Sequence, residues 1–265
     1  MAVCQRIHNT NCRLRAPVDW SLDRPKSTAS AVPTLIGMAD IQTPPVARRR
    51  SGDPEPDLTG FVVIHRAMIA DARRLAGALA AMAEGAPPPP ERIAAVRAYA
   101  RPYLTEIHHH HENEDEVLWP VIEAAAGQAI DLAPLTDDHR ALAPVLARAE
   151  RALAGLGPGG REALRELADA LADLRDLLEE HIADEERQVF PVVRRFVPRE
   201  SFEWCERRFQ EKAGLGHIRF LLPWIARHTA PAEMDHLLRR GGLPFRVLLA
   251  LFRGRHAALE RRVFG

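Results

Sequence analysis

Lysine is nearly missing from this chain. Of its 36 basic residues, two are lysines and the other 34 are arginines. We read that skew as codon bias, because acidic residues also number 36 and the formal charge is zero. A balanced chain exerts no global pull on nucleic acid or anionic lipid, and nucleic acid is not expected as a partner. Cysteine is almost as scarce. Cys4, Cys12 and Cys205 form no CxxC pair and leave an odd thiol, which points to a reduced, cytoplasmic chain rather than a disulfide scaffold. No stretch approaches the roughly 18 uninterrupted apolar residues of a membrane span. The N-terminal segment MAVCQRIHNTNCRLRAPVDW lacks the apolar core of a secretory signal. HExxH is also missing, which argues against a zinc metalloprotease.

What the chain does have is one segment written twice. From His110 it reads HHENEDEVLWP, and from His181 it reads HIADEERQVFP. Superposing them matches His110 with His181, Glu114 with Glu185, Asp115 with Glu186, Trp119 with Phe190 and Pro120 with Pro191. Residues i and i+4 of a helix lie one above the other, so each copy presents an imidazole beside a carboxylate. That is half of a metal site, supplied twice.

Residues 1–56 scatter Pro, Ser, Thr and Arg without a period and read as a disordered leader or linker, with a second potential start at Met38. Beyond it the charge divides unevenly. Residues 57–200 hold 25 acids against 16 bases, and 201–265 hold 12 bases against 6 acids. Four helical segments are expected at about 58–84, 91–126, 135–154 and 161–197. Their apolar positions alternate in steps of three and four, as in Leu58, Val62, His65, Ile69, Ala72, Ala76, Leu79 and Ala83. Short Pro- or Gly-containing connections suit antiparallel neighbours. His65 to His110 spans 45 residues and His139 to His181 spans 42, so the first hairpin looks repeated as the second. The expected architecture is all-α: an antiparallel four-helix bundle over 57–200 and short helices in a C-terminal extension over 201–265. Pro120, Pro144 and Pro191 fall inside helical pattern, and the equivalence of Pro120 and Pro191 predicts matched bends. The amphipathic, basic end of the extension reads as packed on the bundle, or as a homo-oligomer face or a membrane-surface contact.

Each of the four stripes carries one histidine: His65, His110, His139 and His181. Two carboxylates buried beside four imidazoles need cations to be tolerable, or else Glu–His ion pairs across the core. Imidazole and carboxylate without thiolate suit iron, manganese or zinc. Two carboxylates able to bridge suit a dinuclear centre. The order is His-x-x-x-Glu, the reverse of the Glu-x-x-His of ferritin-like bundles. His111 with Asp115 forms a second i, i+4 pair, one step off the stripe. Glu112, Asp115 and Glu116 read as the wet face of their helix, and His108 and His109 as solvated. His217, His228, His236 and His256 read as structural.

At these residues the chain resembles the hemerythrin-like family of HHE cation-binding domains. The family pattern is His on the first helix, HxxxE on the second, His on the third and HxxxE on the fourth. His65, His110 with Glu114, His139, and His181 with Glu185 match it in order, and LWP and VFP are family-like too. The resemblance covers about 58–198. It implies a non-haem di-iron centre bridged by Glu114 and Glu185, with the four imidazoles as terminal ligands and O2, peroxide or NO as small ligands. One departure stands out. Oxygen carriers of the family place a further histidine one turn beyond the first on the third helix, where this chain has Ala143. Four imidazoles in place of five leave an additional open position, which favours reaction with an oxidant over reversible storage of O2. A carrier or sensor, a peroxide-disproportionating enzyme and an iron-responsive interaction protein all need the same ligands.

Overall fold

The computed structural model describes residues 45–157 and 160–265. Most of the expected leader, with Met38, lies outside the described residues. Among those described, all regular structure is helical: α1 (Thr59–Glu84), α2 (Pro90–Asn113), a π-helical turn (Glu114–Leu118), α3 (Trp119–Ala126), a 3-10 turn (Gly127–Ala129), α4 (Ala133–Gly155), α5 (Arg161–Phe196), α6 (Arg199–Lys212), α7 (Leu215–Arg227) and α8 (Pro231–Phe264). No helix is long and apolar enough to cross a membrane.

Local chemistry sets the boundaries. The Asp57 carboxylate accepts from the backbone N–H of Thr59 at 3.0 Å and from its hydroxyl at 2.7 Å, fixing the start of α1. Pro90 opens α2 at a position whose N–H has no helical partner. Ahead of α1, the Arg49 N–H donates to the Phe196 carbonyl at 2.9 Å, and its guanidinium donates to the Arg194 carbonyl at 2.9 Å. Those bonds tie residues 45–56 to the last turn of α5.

Two apolar clusters divide the interior. One gathers Leu75, Leu79, Val96, Tyr103, Leu146, Leu153, Leu167 and Leu174. The other gathers Leu58, Phe61, Val121, Ile122, Leu135, Val189 and Val193. Along α1 and α4 the second cluster comes first, and along α2–α3 and α5 it comes last. His65, His110, Glu114, His139, His181 and Glu185 fall between the two clusters on every helix, forming a polar layer enclosed by hydrocarbon.

The outcome differs from the simple seam on α1. Met68, Asp71 and Leu75 are fully buried, whereas Val62 and Ile69 are only half-buried. The C-terminal helices explain this: Phe220 and Trp224 of α7 and Val263 of α8 join the first cluster and bury a second side of α1 and α2. Helix α8 kinks at Gly242, which takes φ 67°, a left-handed value that suits a residue without Cβ. Helix α5 runs unbroken through Pro191, while Pro120 follows the π turn as the second residue of α3, where its missing N–H costs least.

Candidate metal centre

Each helix of the polar layer lends its side chains at one level. α1 brings His65, and α4 brings His139. The end of α2 with the π turn brings His110, His111 and Glu114, and α5 brings His181 and Glu185. All seven are buried, the two glutamates completely. The ring nitrogens converge. His65 Nε2 and His110 Nε2 are 3.0 Å apart, and His139 Nε2 and His181 Nε2 are 3.2 Å apart. His110 Nε2 lies 2.9 Å from Glu114 Oε1, His139 Nε2 3.5 Å from Glu114 Oε2, and His65 Nε2 3.4 Å from Glu185 Oε2. Two donors each about 2.1 Å from one cation, at a right-angle or tetrahedral setting, lie about 3.0 to 3.4 Å apart. The observed spacings are those of ligands sharing an ion.

Two groups result. His65, His110, Glu114 and Glu185 form one, and His111, Glu114, His139 and His181 the other; within each, the ligand atoms all lie within 4.8 Å of one another. Glu114 belongs to both, with one oxygen toward each. None of the four carboxylate oxygens of Glu114 and Glu185 has an aligned hydrogen-bond donor. Buried carboxylates in that condition cost several kcal/mol without a compensating positive charge, so the residues fit a cation site.

The electrostatics agree. Burial and the neighbouring Glu114 push the Glu185 carboxyl well above the ordinary range. Burial opposes charge on His65, but the carboxylates of Glu185, Glu114 and Glu186 outweigh it and raise that imidazole to about 10. Without a cation its ring therefore holds the positive charge, as a proton that an ion would displace. Burial pushes His111 well below its usual value and His181 down to about 4, leaving both neutral, the form in which imidazole binds a metal.

A supporting layer repeats with the motif. Glu186 Oε1 hydrogen-bonds His65 Nδ1 at 2.9 Å, and Asp115 Oδ2 lies 3.1 Å from His139 Nδ1, close but not in hydrogen-bond alignment. A carboxylate only accepts, so it favours the tautomer with the proton on Nδ1 and the Nε2 lone pair aimed into the layer. Phe190 stacks at 6.1 Å on His65 with planes 8° apart, and Trp119 stacks at 6.0 Å on His139 with planes 18° apart. Each copy of the motif therefore contributes a His and a Glu, then clamps the lone histidine of another helix with its next acid and its aromatic.

All six expected ligand positions come together here. Two sequence readings need correction. Asp115 does not simply face water, because it sits against His139 and accepts from the Thr136 hydroxyl at 2.9 Å. His111 pairs with none of the expected partners; it is 5% exposed and lies beside His139 and His181. Five imidazoles thus surround the layer, and the argument for an extra open position from a count of four loses its basis. His108 is exposed as expected. Cys205 is buried, and burial pushes its thiol up to about 12, so it offers no thiolate.

An all-helical chain with a buried layer of imidazole and carboxylate is of the cation-binding class. The model of the hemerythrin HHE cation-binding domain matches residues 59–193, just over half of the chain, and the chain belongs to that family. No curated protein and no solved structure matches it.

Proposed function

We propose that this chain is a non-haem di-iron protein that binds or reacts with O2, peroxide or a related small oxidant. The observation that carries the reading is the pair Glu114 and Glu185, completely buried, without aligned protein donors and ringed by imidazole nitrogens. In this reading His65, His110, His139 and His181 are terminal ligands, and Glu114 and Glu185 are bridges. Glu114 has an oxygen toward each group, and Glu185 Oε2 stands 3.4 Å from His65 Nε2 and 3.9 Å from His181 Nε2. The donor set favours iron and accommodates manganese or zinc. Bound there, a redox-active pair would supply electron exchange with the small oxidant. The protein's part is to hold Nε2 lone pairs inward through Asp115 and Glu186, and to keep bulk water out with Phe61, Trp119 and Phe190.

The supporting frame is an antiparallel four-helix bundle of α1, α2–α3, α4 and α5 over 57–200, and the opposed order in which successive helices meet the two apolar clusters supports it. Residues 201–265 act as a helical extension of it, and a cytoplasmic setting suits the buried free thiol of Cys205. A homo-oligomer through the extension draws support from Leu243, Val247 and Leu251, exposed at four-residue spacing on α8.

Metal analysis with an absorption spectrum of the isolated full-length protein tests the centre, and two irons per chain are expected. A chain that neither carries nor takes up cations would overturn it. Oxygen evolution from peroxide that vanishes in Glu185→Ala identifies an enzyme. A reversible spectral change on air or NO exposure, without product, identifies a carrier or sensor.

A further inference from the structure

We infer that His111, which follows His110 on α2, is a direct ligand of one cation. This rests on the dinuclear reading above and sharpens it.

The geometry begins with Glu114. It follows His110 by four residues and His111 by three, so on a 3.6-residue helix His110 lies about 40° to one side of it and His111 about 60° to the other. A carboxylate centred on the layer therefore has one imidazole on each flank. On one flank is His110, 3.0 Å from His65. On the other is His111, with ring centroids 4.6 Å from His139 and 5.1 Å from His181. Its Nε2 is buried and has no partner of any kind. A core position built for packing is better filled by Leu or Phe, which leave no buried donor or acceptor unpaired.

Two further observations point the same way. Ala143, one turn beyond His139, is exposed, so α4 directs no second side chain of that register into the layer. The π turn at Glu114–Leu118 begins three residues after His111. A wide turn absorbs one extra residue and lets Val117, Leu118, Val121 and Ile122 resume their packing.

The consequence is a difference in completeness. The His65–His110 group has two imidazoles and two carboxylates, and the His111 group has three imidazoles and Glu114. With Glu185 also bridging, the first position has four protein donors and the second has five.

The test loads the full-length protein with cobalt(II), counts the metal after desalting, and follows its release to a chelator. Wild type should hold two cations. His111→Asn should hold one, the other leaving more than about a hundred-fold faster, a larger loss than the ten- to hundred-fold typical of a merely supporting residue. Added imidazole should restore the second cation in His111→Asn, and His108→Ala, changed on the exposed side of the same run, should hold two. Two cations with unchanged release in His111→Asn would overturn this inference while leaving the dinuclear reading intact. A wild-type chain that cannot hold two cations would sink both.

Discussion

Asp71 and Glu114 are both fully buried carboxylates, yet they keep different company. Asp71 accepts from the Tyr99 hydroxyl, the Trp224 indole N–H and the Arg74 guanidinium, each at 2.6 Å, with His228 Nε2 at 3.2 Å. Those partners come from α1, α2, α7 and the residue capping α7, so a single carboxylate fastens the C-terminal extension to the first two helices. Glu114 has imidazoles in place of such donors, and neither of its oxygens is in hydrogen-bond alignment. The same residue class at equal burial thus serves two purposes. A fully satisfied buried charge is a fastening, and an unsatisfied one is a place prepared for a cation.

Removing Asp71 should give the largest change in stability. Asp71→Ala leaves Tyr99, Trp224 and Arg74 without their acceptor, and breaking a buried ionic network costs about 3–5 kcal/mol. Denaturant titration should show that loss, while the cation count stays at the wild-type value. The pH dependence has a definite sign. Burial alone would raise Asp71, but His228, Tyr99 and Arg74 outweigh it and hold the carboxyl below its ordinary value. Its stabilisation is therefore present above the unfolded value of about 3.9 and is lost as pH falls toward the folded one. An Asp71→Asn protein should lack that acid-side decline.

Glu114 should behave oppositely. Without cations, Glu114→Leu removes an unpaired buried charge, and the protein should become more stable, by up to about 4 kcal/mol. With cations the order reverses, because the shared oxygen donors are gone. Melting curves of stripped and reloaded protein measure both signs. A stripped Glu114→Leu protein less stable than stripped wild type would mean that the carboxylate is a fastening like Asp71, and the comparison would fail.

Smaller effects belong to the clamps. Asp115→Ala and Glu186→Ala should each weaken cation retention ten- to a hundred-fold, or about 1.4–2.7 kcal/mol, with little change in the stripped protein. Equal losses from the two would show that the repeated motif works as a repeated device.

How these features read from the chain differs for physical reasons. The four seam histidines and both glutamates were legible because helical period and a duplicated motif report the same layer independently. Asp115 and Glu186 were already superposed by the repeat, but a charge beside a stripe reads as solvated until the facing helix is in place. His111 reads as a side pair with Asp115 because a step of one residue looks like departure from the stripe, when the stripe is centred on Glu114 between two histidines. Asp71 carried no local mark. Its partners lie 28 and 153 residues away, and only tertiary packing makes it a hub.

The smallest effect tests the other half of that fastening at the surface. Arg66 on α1 donates from both terminal nitrogens to Glu233 at 2.9 Å, joining α8 to α1 just as Asp71 joins α7 to it. Bidentate geometry is favourable, but Arg66 is 43% exposed, and water and salt screen the pair. Exposed ion pairs contribute under about 1 kcal/mol, so Arg66→Ala should shift stability by less than that, and the shift should fade in high salt. A loss approaching that of Asp71→Ala, undiminished by salt, would mean that the extension is held from its rim rather than from the buried carboxylate beneath it.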